Sequence, residues 1–154
     1  MASVMQSIDV RVPVRTAYDQ WTQFESFPQF MDGVKEIRQL DDTHLHWIAD
    51  INGKTEEWDA EITEQTPDQR VAWKSTTGAP NAGVVTFHRL GPDETKVTLQ
   101  MDWQPQGMTE SAGAAMGFDD RQIKDDLGHF KTFIEARGQA SGAWRGTVGQ
   151  SATS

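Results

Sequence analysis

Alternation of apolar and polar residues along the middle of the chain is the feature that most limits its fold. The pattern is cleanest in residues 45–51 and residues 97–103, where every second side chain is apolar. A period of two places successive side chains on opposite faces of a β-strand. Strands with one polar face are typical of an antiparallel sheet that has one side in water. The pattern therefore predicts a sheet with a single apolar face that another element must cover.

Turn-forming residues separate the predicted strands. Asn52-Gly53 is the strongest hairpin signal, because both residues tolerate a positive φ. Pro67-Asp68 and Gly91-Pro92-Asp93 mark two further turns, and residues 77–82 are predicted to form a loop. Short turns make strands that follow one another in sequence neighbours in the sheet. The predicted order is a strand over residues 4–12, two short helices, a six-strand meander and a long helix.

Residues 111–137 predict the long amphipathic helix that covers the sheet. Gly138 follows its last apolar residue, at a position where helices often end in a residue with positive φ. We expect only this helix to be long enough to cover the apolar face. Its apolar side chains, most of them at helical spacing, are Met116, Ile123, Leu127, Phe130, Phe133 and Ile134.

Composition narrows the classes of partner. A net charge of −9 without a basic cluster argues against nucleic acid and against anionic membrane surfaces. The chain has no cysteine, which excludes disulfides, thiolate metal sites and cysteine nucleophiles. We find neither an apolar run long enough to span a membrane nor a signal peptide in residues 1–7. We therefore predict a cytoplasmic protein with no cofactor and no metal site, and leave its oligomeric state open.

The alternation also predicts which side chains face the covered side of the sheet. One hypothesis is that these side chains only fill a core, because apolar periodicity mainly indicates burial. The other is that they line a pocket in which a flat aromatic ligand stacks, since pockets combine apolar walls with a few polar groups. The candidate ligand-binding residues are Trp47, Trp58, Trp73, Phe87, Leu99, Met101, Trp103, Phe130 and Ile134.

The sequence signal for polar residues that contact a ligand or take part in catalysis is weaker than the signal for the apolar set. By the same period Glu56, Glu64, Ser75 and Asn81 share the inner side, although solvation or turn chemistry explains each of them. Glu57, Asp59 and Glu61 are predicted to lie on the outer, solvated face, where Lys74 and Arg70 can pair with them.

The histidines give no strong signal either. His44 and His46 lie two residues apart but lack a third metal ligand, and His88 lies on the polar face of its strand. On the long helix, His129 either faces solvent or borders the pocket, and it is the best candidate among the histidines for acid–base work. No serine–histidine–aspartate elbow, phosphate loop or dinucleotide fingerprint is present. The catalytic residues, if there are any, stay unknown.

Several local stretches are distinctive: residues 12–14 leading into Tyr18 and Trp21, residues 24–31, residues 58–62 and residues 81–87. In these stretches the chain resembles the helix-grip superfamily, which includes START lipid-transfer domains, the birch-pollen allergen, bacterial polyketide cyclase/dehydrases and coenzyme Q-binding proteins. The chain looks most like bacterial proteins labelled cyclase/dehydrase.

The resemblance implies an α+β fold in which a curved seven-stranded antiparallel sheet grips the C-terminal helix around a cavity. The helix-grip domain would span residues 1–138, followed by a tail, residues 139–154, that is at least partly flexible. Three functions follow as hypotheses: binding of an apolar or aromatic small molecule such as a lipid, quinone or polyketide; cyclisation or dehydration of a polyketide in the same cavity; and an interaction or stress-related domain with a filled core. Aromatic cyclases commonly use Tyr, Arg or acidic groups, whereas this sequence has only Tyr18 and no arginine on the predicted inner strand faces.

Overall fold

A computed structural model describes residues 2–51, 54–78, 81–103 and 120–148 of the 154-residue chain. Seven strands form one antiparallel sheet in the order β1-β7-β6-β5-β4-β3-β2, which confirms the predicted meander. Strand β1 pairs with β7, so the first strand of the chain lies at one edge of the sheet beside the last strand. The strands are β1 (Ala2–Val10), β2 (Val34–Gln39), β3 (His44–Ile51), β4 (Lys54–Thr66), β5 (Arg70–Ser75), β6 (Asn81–Gly91) and β7 (Glu94–Trp103).

Three helical segments accompany the sheet. Helix α1 (Val14–Trp21) follows Pro13, whose carbonyl accepts a hydrogen bond from the Ala17 amide at 3.1 Å. A 3-10 helix (Phe24–Gln29) comes next. The long helix α2 (Asp120–Arg137) ends at Gly138, which has φ +70° and donates to the Ile134 carbonyl at 2.8 Å. This αL ending is the predicted helix stop.

Some predicted boundaries shift or fall outside the described residues. Strand β1 ends at Val10 rather than at residue 12, and β6 begins at Asn81, inside the predicted 77–82 loop. Asn81 is drawn into the sheet because it pairs with β7. The Asn52-Gly53 turn and residues 104–119, including Met116, lie outside the described residues.

The sheet is covered differently from the prediction that only the long helix would cover it. Helix α2 packs mainly on β1, the 3-10 helix packs on β2, and α1 packs on β6 and β7. Register shifts near Glu36, Glu64 and Gly91 interrupt the pairing. Such bulges bend a sheet. The expectation was wrong because the short helices, although limited in length, carry the large buried rings Trp21, Phe24 and Phe27, and buried Phe30 follows them directly.

Candidate functional site

Three indoles lie on the inner face of neighbouring strands and form what we call the tryptophan wall (Trp47, Trp58 and Trp73). Trp47 of β3 stacks on its cross-strand partner Trp58 of β4, with ring centroids 5.7 Å apart and an interplanar angle of 11°. It also stacks on Trp73 of β5 at 6.0 Å and 29°. All three are at most 4% exposed. The alternation therefore predicted both their face and their burial correctly.

Rings from the helices lie against the tryptophan wall. Phe27 of the 3-10 helix meets Trp47 edge-on at 6.0 Å, and Phe24 meets Trp73 at 6.2 Å. Trp21 of α1 continues the cluster by contacting Phe27 at 5.0 Å. Rings of the short helices therefore border the wall.

The other predicted inner residues are buried as well. Phe130 of α2 reaches the cluster through Trp21 at 5.1 Å, and Phe87 contacts Tyr18 at 5.5 Å. Gly83 leaves room for Trp73: a Cβ built on it would lie 2.5 Å from the Trp73 ring. Trp103 belongs to β7, but its side chain lies outside the described residues. The buried members of the predicted set are Trp47, Trp58, Trp73, Phe87, Leu99, Met101, Phe130 and Ile134.

Two polar atoms of the tryptophan wall are buried without partners. The indole Nε1 atoms of Trp47 and Trp58 find no hydrogen-bond acceptor among the described residues, and the same holds for Trp21. A buried donor left unpaired costs about 1–3 kcal/mol. The inner face thus combines aromatic surface with hydrogen-bond donors, whereas no lysine or arginine is buried in the described part of the chain.

The tyrosine of α1 forms a second polar feature. Tyr18 is fully buried, and burial raises the pKa of its hydroxyl, so it stays protonated. The nearby Gln65 side chain lowers that pKa in part. Neither the Tyr18 hydroxyl nor Gln65 Nε2 makes a hydrogen bond of good geometry to a described residue. The guanidinium of Arg145 lies over the Tyr18 ring, 5.4 Å from its centroid.

Arg145 belongs to a segment that packs back on the domain. It donates to the Asp19 carboxylate and lies 2.8 Å from an oxygen of Asp68. Upstream, the Ser141 amide donates to Gln20 Oε1 at 2.9 Å. Val148 exchanges backbone hydrogen bonds with Gln65 of β4. Residues 139–148 are thus attached along α1 and β4; the predicted flexibility of the final residues concerns positions outside the described ones.

A third polar feature, the Asp–His cluster (Asp32, Asp126 and His129), lies where α2 meets the turn before β2. His129 Nδ1 is 3.7 Å from an oxygen of Asp32 and 3.9 Å from an oxygen of Asp126. Burial raises the pKa of the Asp126 carboxyl to about 6, while hydrogen bonds from Asp32 and Gln122 lower it in part. His129 also borders a solvent-open cleft of about 530 Å³ between β1 and α2, lined partly by Ile8 and Leu127.

The remaining histidine candidates lie in polar surroundings. His46 on the outer face of β3 has Nδ1 2.7 Å from Asp59 and Nε2 2.9 Å from Glu57. Hydrogen bonding to Asp59 and then to Glu57 raises its pKa. His44 instead contacts the Asp41 carboxylate at 2.9 Å, and His88 is exposed. The predicted solvated carboxylate row is therefore present, but it pairs with His46, while Arg70 pairs with Glu64 at 3.4 Å.

Of the four polar candidates for the inner side, Asn81 is the buried one. It is 6% exposed, and its backbone amide donates to Ser75 Oγ at 3.0 Å. Glu64 is partly exposed and paired with Arg70, and Glu56 is partly exposed near the start of β4. Ser75 and Asn81 therefore tie β5 to β6.

The fold described above is the helix-grip fold, a curved antiparallel sheet with a C-terminal helix. A family model described as "Polyketide cyclase / dehydrase and lipid transport" matches residues 10–132. The chain belongs to this family. In the described regions, no helix is long and apolar enough to cross a membrane.

Individual proteins are similar to the chain in sequence or in fold. The chain is 60% identical over 149 residues to an uncharacterized 17.2 kDa protein from the melC2-rnhH intergenic region of Streptomyces lincolnensis, covering 96% of this chain and 99% of that one. The aromatase/cyclase Zhui from a Streptomyces species superposes with a TM-score of 0.75 at 15% identity, over 93% of this chain and 99% of that one.

Two further solved structures share the fold. A protein from Deinococcus radiodurans gives a TM-score of 0.71 at 25% identity, covering 89% of this chain and 99% of that one. A START superfamily protein from Mycobacterium smegmatis gives 0.69 at 15% identity, covering 88% and 95%. Family and fold together support a ligand-binding or cyclase role, which agrees with the resemblance seen in the sequence.

Three features of the site were not found from the sequence. One is that Phe24 and Phe27 cover the wall, because the sequence pattern predicts two short helices without indicating where they pack. Arg145 lies 126 positions from its partner Asp19, and Asp32 lies 94 positions from Asp126. No local pattern indicates such pairs. The positive φ of Asp68, +63°, fits the Pro67-Asp68 turn signal and places the Asp68 carboxylate beside Arg145.

Proposed function

We propose that the protein binds an apolar, ring-containing small molecule against the tryptophan wall. The observation that carries this proposal is the pair of buried indole N–H groups on Trp47 and Trp58, which have no acceptor among the described residues and lie in a stacked aromatic surface. A ring stacked there gains about 0.5–1.5 kcal/mol per aromatic pair beyond its buried area. A carbonyl on the same ligand would accept from an indole and remove the cost of an unpaired donor.

The lining also favours an uncharged ligand. Charged groups are rarely buried without a partner, because they lose their hydration. The described core contains no buried lysine or arginine that would neutralise a carboxylate. A quinone or a polyketide-like ketone therefore fits the wall better than a free fatty acid. We propose a cytoplasmic location as well.

Access to the wall would involve the 3-10 helix. Phe24 and Phe27 lie over Trp73 and Trp47, so a ligand stacked there must displace them. The 3-10 helix has no side-chain cap at its N-terminus and contains Pro28. Short 3-10 segments have weaker hydrogen-bond geometry than α-helices and move at lower cost.

Binding is tested by quenching of tryptophan fluorescence with a panel of quinones and aromatic polyketides, each paired with its parent hydrocarbon. Trp58→Phe keeps a ring but removes one N–H. It should weaken binding of the carbonyl compounds about fivefold, which corresponds to an indole hydrogen bond of about 1 kcal/mol, and it should spare the hydrocarbons. Trp144→Phe, in the partly exposed tail segment, is the matched control. Absence of binding across the panel at tens of micromolar contradicts the proposal and favours the filled-core interaction domain.

A cyclase or dehydrase is the second candidate, and Tyr18 is the observation in its favour. Burial keeps its hydroxyl protonated. Arg145 places a cation beside it, whereas no lysine or arginine is buried among the described residues. A buried phenol of this kind can donate a proton to a carbonyl oxygen while the pocket excludes water. Turnover of polyketide-like substrates should fall at least about a hundredfold in Tyr18→Phe. Activity that survives this substitution removes Tyr18 from the mechanism.

A further inference from the structure

The Asp–His cluster has the spacing of a shared ligand set. The ligand atoms of Asp32, Asp126 and His129 all lie within 4.8 Å of one another. Both distances from His129 Nδ1, 3.7 and 3.9 Å, are too long for hydrogen bonds. Ligand atoms bound to one cation at about 2.0–2.2 Å lie about 3–4 Å apart, so small side-chain rotations suffice to close this set on an ion.

Neighbouring groups hold the inner ligand in place. Asp126 Oδ1 accepts from the Gln122 side-chain amide at 2.8 Å and from the Asp32 backbone amide at 3.2 Å. Such hydrogen bonds to a ligating carboxylate orient it and support metal affinity. The Asp126 side chain is 7% exposed, whereas the side chains of Asp32 and His129 are 69% and 47% exposed. The group therefore has a fixed inner ligand and an open outer side.

The Asp–His cluster contains two carboxylates and one histidine, so negative charge predominates in it. Within residues 2–51, 54–78, 81–103 and 120–148, no lysine or arginine lies within ion-pair distance of Asp32 or Asp126. Among these described residues, the one basic side chain beside the two aspartates is His129, which is charged only when protonated. A buried carboxylate without a cation is unfavourable, and a bound divalent ion would remove that cost.

We propose that Asp32, Asp126 and His129 bind a divalent first-row transition-metal ion such as Co²⁺, Mn²⁺ or Zn²⁺. Two carboxylate oxygens and one imidazole nitrogen suit these ions, whereas calcium and magnesium prefer oxygen alone and copper(I) prefers sulfur. The remaining coordination positions face solvent. The ion would join the turn before β2 to helix α2, and it would lie apart from the tryptophan wall.

Titration of the chelator-treated protein with Co²⁺, followed by calorimetry and thermal unfolding, tests the site. We expect one ion per chain and a Tm that rises with Co²⁺ concentration. His129→Ala and Asp32→Asn change exposed side chains, so the fold should persist, and each should weaken binding at least about tenfold. His44→Ala is the matched control, because His44 is also exposed and contacts an aspartate, Asp41, at 2.9 Å. It should leave binding unchanged.

Three outcomes overturn the proposal. One is that Co²⁺ up to millimolar concentration neither binds nor shifts the Tm. Another is binding that survives both His129→Ala and Asp32→Asn. The third is an equal loss in His44→Ala and His129→Ala, which would indicate non-specific binding to surface histidines. Circular dichroism of each variant checks that the fold is retained.

Discussion

Strands β3 and β4 pair along the whole length of β3, but the side-chain pairs on their two faces differ in burial. On the inner face Trp47 lies opposite Trp58, and both rings are at most 4% exposed. One residue earlier, on the outer face, His46 lies opposite Asp59, with side chains 27% and 47% exposed. Both pairs are in close contact, yet only the inner one is removed from water. Burial, not contact, should therefore decide how much each pair contributes to stability.

The largest expected effect comes from truncating the inner pair. Trp47→Ala removes a ring that stacks on both other members of the tryptophan wall, and large-to-small changes of this kind cost about 3–5 kcal/mol. His46→Ala on the same strand should cost less than about 1 kcal/mol. Urea unfolding of both variants gives the two values. Equal losses would contradict the claim that burial separates the two faces.

Overpacking the inner face is the next test. A Cβ on Gly83 would lie 2.5 Å from Cζ2 and 2.7 Å from Cε2 of Trp73. Gly83→Ala should therefore push this indole away and cost about 1–3 kcal/mol. The control is Gly128→Ala in α2, where a Cβ meets no heavy atom within 4 Å. That change should raise stability by about 0.5–1 kcal/mol, since alanine favours the helix. The same sign for both variants would show that the contact with Trp73 is not the cause.

Asp126 tests the same comparison with a buried charge. It is buried like the indoles of the inner face, but it carries a carboxylate like Asp59 on the outer face. Its pKa is raised to about 6, above the ordinary 3.8 of the unfolded chain. The contribution of Asp126 to folding stability is therefore complete below the unfolded-state pKa of 3.8, and it is lost as the pH rises through the folded-state pKa of about 6.

In chelator-treated protein, Asp126→Asn should abolish the loss of folding stability that accompanies ionisation of this carboxyl at rising pH. We expect the variant to be about 1–2 kcal/mol more stable than the wild type at about pH 8 and to show little advantage at about pH 4. Unfolding curves across this range measure the difference. A variant that is less stable at every pH would mean that the carboxylate contributes through its hydrogen bonds rather than opposing folding through its charge.

The smallest effect is expected on the outer face. Hydrogen bonds that the His46 ring donates to the carboxylates of Asp59 and Glu57 raise its pKa. The histidine therefore stabilises the fold below its unfolded pKa of about 6.5 and loses this contribution as pH rises through the folded value. Asp59→Asn should reduce the stability gained on acidification by less than about 1 kcal/mol. NMR titration of the His46 ring measures its pKa directly, and an unchanged pKa in Asp59→Asn would exclude this pairing.

Much of the inner face could be predicted before any coordinates were known. Side chains of a strand alternate between faces, so Trp47, Trp58 and Trp73 were assigned together to one side of the sheet. The pairing order followed from short turns, and Gly138 marked the end of α2. These features depend on residues close together in sequence. Whether the inner residues bind a ligand stays a prediction.

Contacts between distant segments were decided by the tertiary structure. Phe24 and Phe27 cover the tryptophan wall because the short helices fold back over the sheet, and Arg145 reaches Tyr18 because the tail segment returns along α1. His129 faces two aspartates from different elements rather than the indoles. Alternation determines which side of a strand is buried, since it is a local property of the backbone. It carries no information about which distant side chain fills the space opposite, because that depends on how the elements pack together.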